Sequence, residues 1–296
     1  MLTLRAPAKI NWFLKVLCLR DDGFHEIQSL IQKVTLFDNL TIKPSNDLNI
    51  TTDASIPMEE NLAYKAALLL KNKYVVKTGA EMQLVKTIPV GAGLGGGSSD
   101  AAAALGGLNE LWSLGLTVDE LCEAGEEIGS DVPFFLRDSL SYVEGRGEKI
   151  NACVPKRQLP LLLVKPSFAV STAWVYNNLS YSSISSVLND AHTHELTKKH
   201  GNVNNIKHFI NDVEDADLSC MTLSFGLLSN DLESVTLESF PIIADIKEML
   251  SEHGSLFSLM SGSGPTVFGV FNSLKAAETA SRYFKDFWTA VVRTMT

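Results

Sequence analysis

The chain lacks the features that mark secreted, membrane-spanning or zinc-binding proteins. Its 296 residues include only 4 cysteines, and no two of them have the spacing of a zinc site. We therefore expect reduced thiols in a cytoplasmic protein. Basic residues at Arg5, Lys9 and Lys15 interrupt the first apolar stretch, so residues 1–16 do not resemble a signal peptide. Apolar runs such as 159–164 are far shorter than the roughly 18 residues of a membrane span.

Positive charge is also scarce. The chain has 25 Lys and Arg against 34 Asp and Glu, which gives a net charge of −9. Binding to a phosphate backbone needs a basic stripe, so we expect neither a nucleic acid nor a membrane as partner. A small anionic substrate needs only a local positive pocket, and the charge balance permits one. We expect a monomer or a weak homodimer.

Two common nucleotide-binding signatures are missing. The chain contains no Gly-Lys dipeptide, which excludes a Walker P-loop, and it has neither the HRD nor the DFG motif of a protein kinase. Gly91, Gly93 and Gly96 fit the dinucleotide pattern G-x-G-x-x-G literally. However, the preceding strand is not N-terminal, and Pro89 lies where a central parallel strand would still run. A nicotinamide-dependent oxidoreductase is therefore a disfavoured alternative.

What the chain does contain is a glycine-rich segment, VGAGLGGGSSDAAAAL, at residues 90–105. A strand is predicted before it at Met82–Lys86, and a helix after it at Ser99–Leu111. Backbone amides at a helix N-terminus carry partial positive charge, and glycines let a phosphate come close to them. The segment therefore predicts a cradle for a nucleotide's phosphates. The alternative is a flexible surface loop.

Hydrophobic periodicity predicts two domains, at residues 1–154 and 155–296, divided near the prolines that bracket Lys156 and Arg157. The elements predicted in the first are strands Leu2–Leu19 and Ile27–Lys43 with a turn at Asp38-Asn39, helix Glu60–Tyr74, strand Met82–Lys86, helices Ser99–Leu111 and Thr117–Ile128, and strands Leu140–Glu144 and Glu148–Ala152. Helix Thr117–Ile128 is expected to open with a capping box formed by Thr117 and Glu120.

The second domain is predicted to have the ferredoxin-like order of strand, helix, two strands, helix and strand, with extra helices inserted early. Its predicted elements are strand Leu161–Lys165, polar helical sequence to about Glu238, a helix opened by Ser239 and Pro241 and closed by Gly254, strands Ser255–Met260 and Thr266–Phe271, helix Leu274–Phe284 and strand Trp288–Arg293.

The segment Pro89–Ala103 resembles the ATP-binding motif of the GHMP kinases. Six further motifs occur in the order seen in one branch of that family: Pro7-Ala-Lys-Ile-Asn11, Gly23-Phe-His25, Gly129-Ser-Asp-Val-Pro133, Ser171-Thr172, Asn230-Asp-Leu-Glu233 and Met260-Ser-Gly-Ser-Gly-Pro-Thr266. The resemblance is weakest between Tyr181 and Leu218. It implies an α+β, two-domain GHMP kinase fold, with a ribosomal-S5-like α/β domain followed by a ferredoxin-like domain.

The resemblance also implies a reaction. ATP, arriving with Mg²⁺, would phosphorylate the 2-hydroxyl of a methylerythritol that carries a cytidine diphosphate group, in non-mevalonate isoprenoid biosynthesis. Two alternatives remain open. The first is another GHMP kinase of the mevalonate or homoserine type, which the Phe24-His25 segment disfavours. The second is a catalytically silent ligand-binding relative, which intact Lys9 and Asp131 disfavour.

The resemblance assigns the site residues by role. Lys9 and Asp131 are the implied catalytic pair. The implied ATP-binding residues are Asn61, Lys86, Pro89, Val90, Gly91, Ala92, Gly93, Leu94, Gly95, Gly96, Gly97, Ser98 and Ser99. The implied substrate-binding residues are Asn11, Phe24, His25, Ser171 and Thr172, and the loop on the phosphate side is Ser261, Gly262, Ser263 and Gly264. No carboxylate cage for Mg²⁺ is evident, and no metal ligand is assigned.

Elementary chemistry supports these roles. Phosphoryl transfer depends on positioning and charge stabilisation, and a carboxylate such as Asp131 can accept the proton of a poorly nucleophilic hydroxyl. A nearby Lys9 ammonium would lower the pKa of Asp131, so we expect Asp131 to orient the hydroxyl and take the proton late. From the residues alone, Asp131 could instead be a helix N-cap, and Lys9 an exposed edge-strand lysine.

Overall fold

The computed structural model describes residues 1–155, 157–179 and 228–296, and its strands form two sheets. The elements before residue 155 are strands β1 (Leu2–Leu19), β2 (His25–Ser45), β3 (Leu48–Thr52), β4 (Gly79–Val85), β5 (Leu140–Gly145) and β6 (Lys149–Cys153), and helices α1 (Leu62–Lys73), α2 (Gly96–Leu111), α3 (Val118–Ile128) and α4 (Val132–Phe135). The elements after it are strands β7 (Pro160–Lys165), β8 (Phe257–Met260), β9 (Val267–Val270) and β10 (Trp288–Arg293), and helices α5 (Thr172–Asn177), α6 (Glu233–Ser239), α7 (Ile242–Glu252) and α8 (Leu274–Ser281).

The first sheet is built on β2. Its strand order is β3-β4-β2-β5-β6, and β1 also pairs with β2 in an antiparallel ladder from Leu2↔Ile42 to Leu19↔His25. The ladder shifts register three times, at Pro7/Ala8, at Asn11/Phe13 and at Val16/Cys18. Such irregularities bend a strand and redirect its side chains. Helices α1 and α2 pack on this sheet through fully buried aliphatic side chains, among them Leu40, Ile42, Leu70, Met82 and Leu105.

The second sheet has the order β10-β7-β9-β8, with every pairing antiparallel. Renumbered within this half, the order is 4-1-3-2, which confirms the ferredoxin-like prediction. Most of the predicted polar helical segment before Glu238, together with Cys220, lies outside the described residues. Among the described residues, no helix combines the length and hydrophobicity needed to cross a lipid bilayer.

Several sequence predictions are corrected here. Asp38-Asn39 is not a turn, because β2 runs straight through both residues. Asp38 is fully buried and accepts hydrogen bonds from the backbone amides of Thr87 and Ile88. A residue type that favours turns in water serves here as an internal acceptor for the chain that leads into the glycine loop.

Two predicted helix starts are also wrong. Helix α2 begins at Gly96, inside the glycine loop, because Gly95 takes a left-handed conformation (φ 69°) and so becomes its N-cap. Ser239 ends α6 instead of opening α7, whose N-cap is Pro241. The capping box of α3 is confirmed: Thr117 accepts from the Glu120 amide, and the Glu120 carboxylate accepts from the Thr117 amide.

The two sheets meet across one apolar cluster. The indole of Trp12 on β1 stands edge-on to the Phe268 ring on β9, with centroids 5.5 Å apart and planes at 86°. The Trp12 indole N–H donates to Gln32 Oε1 over 2.7 Å, and Gln32 Nε2 donates to the Met295 carbonyl over 2.9 Å. Contact between β1 and the second sheet therefore sets the cleft that opens beside it.

Candidate active site

A cleft of about 930 Å³ lies between the two sheets. This volume is near the upper end of the range typical for small-molecule sites. Its walls come from β1, from the glycine loop, from the start of α4 and from the turn between β8 and β9. The predicted site residues that line it are Lys9, Asn11, Phe24, His25, Asn61, Lys86, Pro89, Val90, Gly91, Ala92, Gly93, Leu94, Gly95, Gly96, Gly97, Ser98, Asp131, Thr172, Gly262 and Ser263.

The glycine loop takes a shape that only glycine adopts easily. Gly91, Gly93 and Gly95 have φ values of 63°, 75° and 69°, all in the left-handed region. The amide of Lys9 donates to the Leu94 carbonyl over 2.9 Å, which fixes the loop against β1. Because α2 starts directly after Gly95, its free amides and the positive end of its dipole face the cleft.

The two glycine-rich turns touch through their backbones. A Cβ at Gly93 would collide with the Ser261 carbonyl oxygen, so only a bare backbone fits there. The Ser261 hydroxyl donates to the Gly93 carbonyl over 3.0 Å. The turn at Ser261–Gly264 therefore lies beside the glycine loop. Gly262 and Ser263 line the cleft, whereas Ser261 and Gly264 do not.

Lys9, Asn11 and Asp131 form a polar group inside the cleft. The Lys9 ammonium lies 3.8 Å from Asp131 Oδ2 and donates to Asn11 Oδ1 over 2.6 Å. The Asn11 amide donates in turn to Ser29 Oγ over 2.8 Å, and Ser29 Oγ donates to the Phe13 carbonyl. The side chains of Lys9, Asn11 and Ser29 are thus joined in one buried chain of hydrogen bonds.

The exposure of these side chains decides between the alternatives left open above. Lys9 is only 5% exposed, so it is not an edge-strand lysine with its charge in water. Asp131 precedes α4 but makes no side-chain capping hydrogen bond, and 36% of its side chain is accessible to the cleft. Burial lowers the pKa of Lys9, while the Asp131 carboxylate opposes that shift. Because the Asp131 carboxylate does not cap α4, it can accept a hydrogen bond from a bound hydroxyl.

Lys86 is held between two buried carboxylates. Its ammonium donates to Asp38 and, over 2.6 Å, to Asp100 at the start of α2. Burial raises the pKa of Asp100 to about 7, with the Lys86 ammonium opposing the shift. This arrangement ties β2, the glycine loop and α2 together directly beneath Gly96, whose Cβ would lie 3.3 Å from Lys86 Nζ.

The second turn is held by the Asn230–Glu233 segment. The Asn230 amide donates to the carbonyls of Met260 and Gly262 over 2.9 and 2.7 Å, and Glu233 accepts from the Met260 amide and from Lys247. No role was predicted for this motif from the sequence. Its polar side chains position the turn that faces the glycine loop.

The far end of the cleft is aromatic. Phe24 is 48% exposed, and the Arg146 guanidinium carbon lies 5.0 Å from its ring centroid. The His25 ring faces the Tyr176 ring on α5, with centroids 4.9 Å apart. Burial raises the pKa of Tyr176, and the carboxylates of Asp131 and Asp231 add to the shift. Aromatic planes and a guanidinium form a surface suited to a planar base and a phosphate.

Neither Ser171 nor Ser99 lines the cleft. Ser171 Oγ accepts from the Trp174 amide and so caps α5, while its neighbour Thr172 shares a hydrogen bond with Ser263 Oγ over 2.8 Å. Ser99 is buried, and its hydroxyl has no partner among the described residues. Of the two paired serines in the glycine loop, Ser98 is the one that reaches the cleft.

Comparison with known proteins decides the family. The GHMP kinase N-terminal domain matches residues 61–139, and the GHMP kinase C-terminal domain matches residues 218–290. The 4-diphosphocytidyl-2-C-methyl-D-erythritol kinase of Thermodesulfovibrio yellowstonii is 44% identical over 296 residues, covering 100% of this chain and 98% of that protein. The enzyme of the same name from Enterococcus faecalis is 42% identical over 297 residues, with 98% of each chain covered. The chain belongs to the 4-diphosphocytidyl-2-C-methyl-D-erythritol kinases, a branch of the GHMP kinases.

Solved structures agree with this placement of the kinase. A crystal structure of 4-(cytidine 5'-diphospho)-2C-methyl-D-erythritol kinase superposes with a TM-score of 0.80 at 28% identity, covering 100% of both chains. Homoserine kinase from Cytophaga hutchinsonii superposes with a TM-score of 0.72 at 19% identity, over 99% of this chain and 94% of that one, and shares the fold. The predicted α+β, two-domain GHMP kinase fold is confirmed.

The fold brings four residues to the site of this kinase that no sequence motif indicates: Ser29, Asp38, Arg146 and Tyr176. Ser29 and Tyr176 carry no motif signal. Strand pairing brings Ser29 beneath the cleft, where it accepts from Asn11, and the packing of α5 brings Tyr176 into the cleft wall. Arg146 lies in the connection between β5 and β6 and lines the cleft, although no motif includes it. Asp38 was assigned to a turn. No local signal identifies the pairing of Asp38 with Lys86, because the two residues are 48 positions apart in the chain.

Proposed function

We propose that this kinase transfers the γ-phosphoryl group of ATP to the 2-hydroxyl of 4-diphosphocytidyl-2-C-methyl-D-erythritol. The products are ADP and the 2-phosphate, within non-mevalonate isoprenoid precursor biosynthesis. The observation that carries the proposal is the position of the Lys9–Asp131 pair, 3.8 Å apart. The pair lies in one cleft with the glycine loop and with the aromatic side chains of Phe24, His25 and Tyr176.

The donor nucleotide is assigned to the glycine loop, with Mg²⁺ entering as part of the ATP complex. Backbone amides at the start of α2 would bind the phosphates, since Lys86 is already paired with Asp38 and Asp100. Among the described residues, no cluster of three His, Cys, Asp or Glu side chains could hold a metal ion. Mg²⁺ usually keeps several waters in nucleotide sites, and we assign the Ser98 hydroxyl to the ion or to a phosphate.

The acceptor alcohol is assigned to the Lys9–Asp131 end of the loop. Asp131 accepts a hydrogen bond from the attacking hydroxyl and takes its proton as the bond to phosphorus forms. The Lys9 ammonium stabilises the charge on the phosphoryl group in transit, and burial strengthens that interaction. Asn11 holds the ammonium in place through its side-chain oxygen.

The cytidine diphosphate end of the substrate is assigned to the aromatic surface. Phe24, His25 and Tyr176 present ring faces for the cytosine, and Arg146 is near enough to Phe24 to meet the diphosphate. Stacking on an aromatic side chain contributes on the order of 1–3 kcal/mol per base. This surface separates the proposed substrate from mevalonate and homoserine, which carry no base.

A coupled assay of ADP release tests the proposal. Purified kinase with ATP, Mg²⁺ and 4-diphosphocytidyl-2-C-methyl-D-erythritol should release one ADP for each 2-phosphate formed. Mevalonate and homoserine, assayed in parallel, should give no release above background. Turnover of either alcohol without turnover of the cytidine-bearing one would reassign the substrate. Binding of ATP without turnover of any alcohol would identify a silent relative.

A further inference from the structure

Lys33 is a buried cation to which the mechanism above gives no role. It lies on β2, directly opposite Lys9 in the β1–β2 ladder, and it is only 7% exposed. Its ammonium donates to two backbone carbonyls, that of Phe135 over 3.1 Å and that of Arg137 over 2.7 Å. Both carbonyls lie at or just after the C-terminal end of α4, the short helix that Asp131 precedes.

Helix α4 links this cation to the reacting groups. It has only 4 residues, so its hydrogen bonds alone cannot hold it rigidly. The Phe135 ring is wedged beside the site, because a Cβ at Gly95 would lie 2.8 Å from Phe135 Cζ and 3.0 Å from Lys9 Cγ. Any shift of Phe135 would therefore disturb the Lys9 stem, the glycine loop and the Asp131 end of the helix together.

We propose that Lys33 is a positioning residue for the phosphoryl transfer, which anchors the end of α4 so that Asp131 stays beside the Lys9 ammonium. A cation also suits the C-terminal end of a helix, where the dipole and the free carbonyls are negative. The Phe134 ring, 5.5 Å from Lys33 Nζ, covers the ammonium on one side. The kinetic part of this inference rests on the proposed kinase activity.

The charge of Lys33 is sensitive to alkaline pH. Burial lowers the pKa of Lys33 to about 8, and the Asp138 carboxylate opposes that shift. The other charged groups around it are Lys9 across the ladder and Arg137 after α4, which is itself paired with Asp119 on α3. Above about pH 8 the amine is neutral, and its two hydrogen bonds lose their charge assistance.

The test compares wild type with Lys33→Met, which keeps the stem and removes the ammonium. We expect kcat to fall about tenfold because Asp131 and Lys9 lose their alignment. KM for ATP should change less than kcat, since the backbone hydrogen bond from Lys9 to Leu94 still holds the glycine loop. The wild-type kcat should decline between pH 8 and 9, whereas the variant should lack the part of that decline due to Lys33. Gln32→Met is the matched control, because it removes two side-chain hydrogen bonds from the next residue of the same strand.

A second readout does not depend on activity. Amide hydrogen exchange over residues 132–137 should be faster in Lys33→Met than in wild type or in Gln32→Met, while exchange in α3 stays the same. Failure of the wild type to release ADP would count against the proposed function, and the exchange data would still decide whether Lys33 anchors α4. Unchanged exchange over 132–137 overturns the inference, as does a kcat no lower than that of Gln32→Met.

Lys33→Arg covers the case in which the methionine variant does not fold. The guanidinium stays charged to above about pH 12. The decline in kcat of Lys33→Arg should therefore begin at a higher pH than that of wild type. An alkaline profile identical to that of wild type would overturn the inference.

Thermal melts measure how the stability of the protein depends on the charge of Lys33. This dependence has the opposite sign to that of kcat, because neutralising a buried ammonium stabilises the folded state. Between pH 8 and 10.5 unfolded Lys33 binds more protons than folded Lys33, so the stability of the wild type relative to Lys33→Met should rise with pH.

Discussion

At the scale of single residues, the site depends on side chains that hold other side chains. Lys9 is aligned by Asn11, and Asn11 is aligned by Ser29, through hydrogen bonds of 2.6 and 2.8 Å. An asparagine amide can present either its oxygen or its nitrogen to a neighbour. Ser29 accepts from the nitrogen, which leaves the oxygen facing the ammonium. The position of the Lys9 ammonium therefore depends on Ser29, which contacts it only through Asn11.

Asp131→Asn tests the carboxylate. The amide keeps the size of the side chain but cannot take a proton, so we expect kcat to fall at least about tenfold with KM for ATP within about twofold. Steady-state kinetics measures both quantities. Asp119→Asn is the control, because Asp119 is exposed and pairs with Arg137 on the surface. A near-normal kcat in Asp131→Asn would remove this residue from the mechanism.

Ser29→Ala tests the orientation of Asn11. Without its acceptor the amide can turn its nitrogen toward Lys9, and we expect kcat to fall about fivefold or more, in line with the loss of a buried hydrogen bond. Ser141→Ala is a matched control. Ser141 is buried on the neighbouring strand β5, and its hydroxyl has no partner among the described residues. Equal kinetics in the two alanine variants would contradict the role of Ser29.

At the scale of elements, two kinds of contact hold the glycine loop. One is the ion pairing of Lys86 with Asp38 and Asp100, and the other is the backbone hydrogen bond from Lys9 to Leu94. Lys86 joins β2 to the start of α2 through Asp38 and Asp100, all of them buried. A buried pair of this kind adds little net stability by itself, but breaking it leaves an uncompensated charge. Its effect here is to fix where the loop meets the helix.

Lys86→Met should therefore be strongly destabilising. Two buried carboxylates would face each other without a cation, and we expect the free energy of unfolding to fall by about 3–5 kcal/mol. Mutual repulsion raises the folded-state pKa of such a pair above its unfolded value, so the loss should grow as pH rises from 5 to 8. Urea denaturation at both pH values measures this.

Lys43→Met provides the comparison for Lys86→Met. Lys43 forms an exposed pair with Glu81 between the same two strands, β2 and β4, at 3.0 Å. We expect it to change the free energy of unfolding by less than about 1 kcal/mol. Similar losses in the two methionine variants would show that the buried arrangement is no more important than a surface pair.

The helices and strands also show which parts of the fold can be predicted from the sequence. Strongly periodic segments and chemical motifs were sufficient for α1, α3, the ferredoxin-like order and the family. Long-range pairing was not readable, so the buried acceptor role of Asp38, the short strand β3 and the approach of Tyr176 to His25 were missed. Each of these depends on a partner distant in the chain, and local propensity carries no information about it.

At the scale of the whole molecule, the cleft exists because two sheets share one apolar boundary. Trp12 belongs to the first sheet and packs on Phe268 of the second. The chain passes from one sheet to the other between Cys153 and Pro160, inside the boundary that the prolines predicted. The division into domains at 154/155 stays a prediction, because residues of both sheets belong to one buried apolar cluster.

Trp12→Ala tests the shared boundary. Removing a fully buried indole should lower the free energy of unfolding by about 3–5 kcal/mol. The wild type should unfold in one transition that far-UV circular dichroism and tryptophan fluorescence report together. Trp112→Ala, at the half-buried end of α2, should cost less. Two separate wild-type transitions would show that the halves fold independently.

The meeting of Gly93 with Ser261 limits how this enzyme can be altered. Both touching groups are main chain, so no compensating exchange of one side chain for another can restore the fit once a methyl group is added at position 93. Substitution of Gly93 is therefore not a route to an enzyme that accepts a bulkier nucleotide. The useful starting position is Val90, which is 57% exposed at the rim and can be trimmed without disturbing the junction.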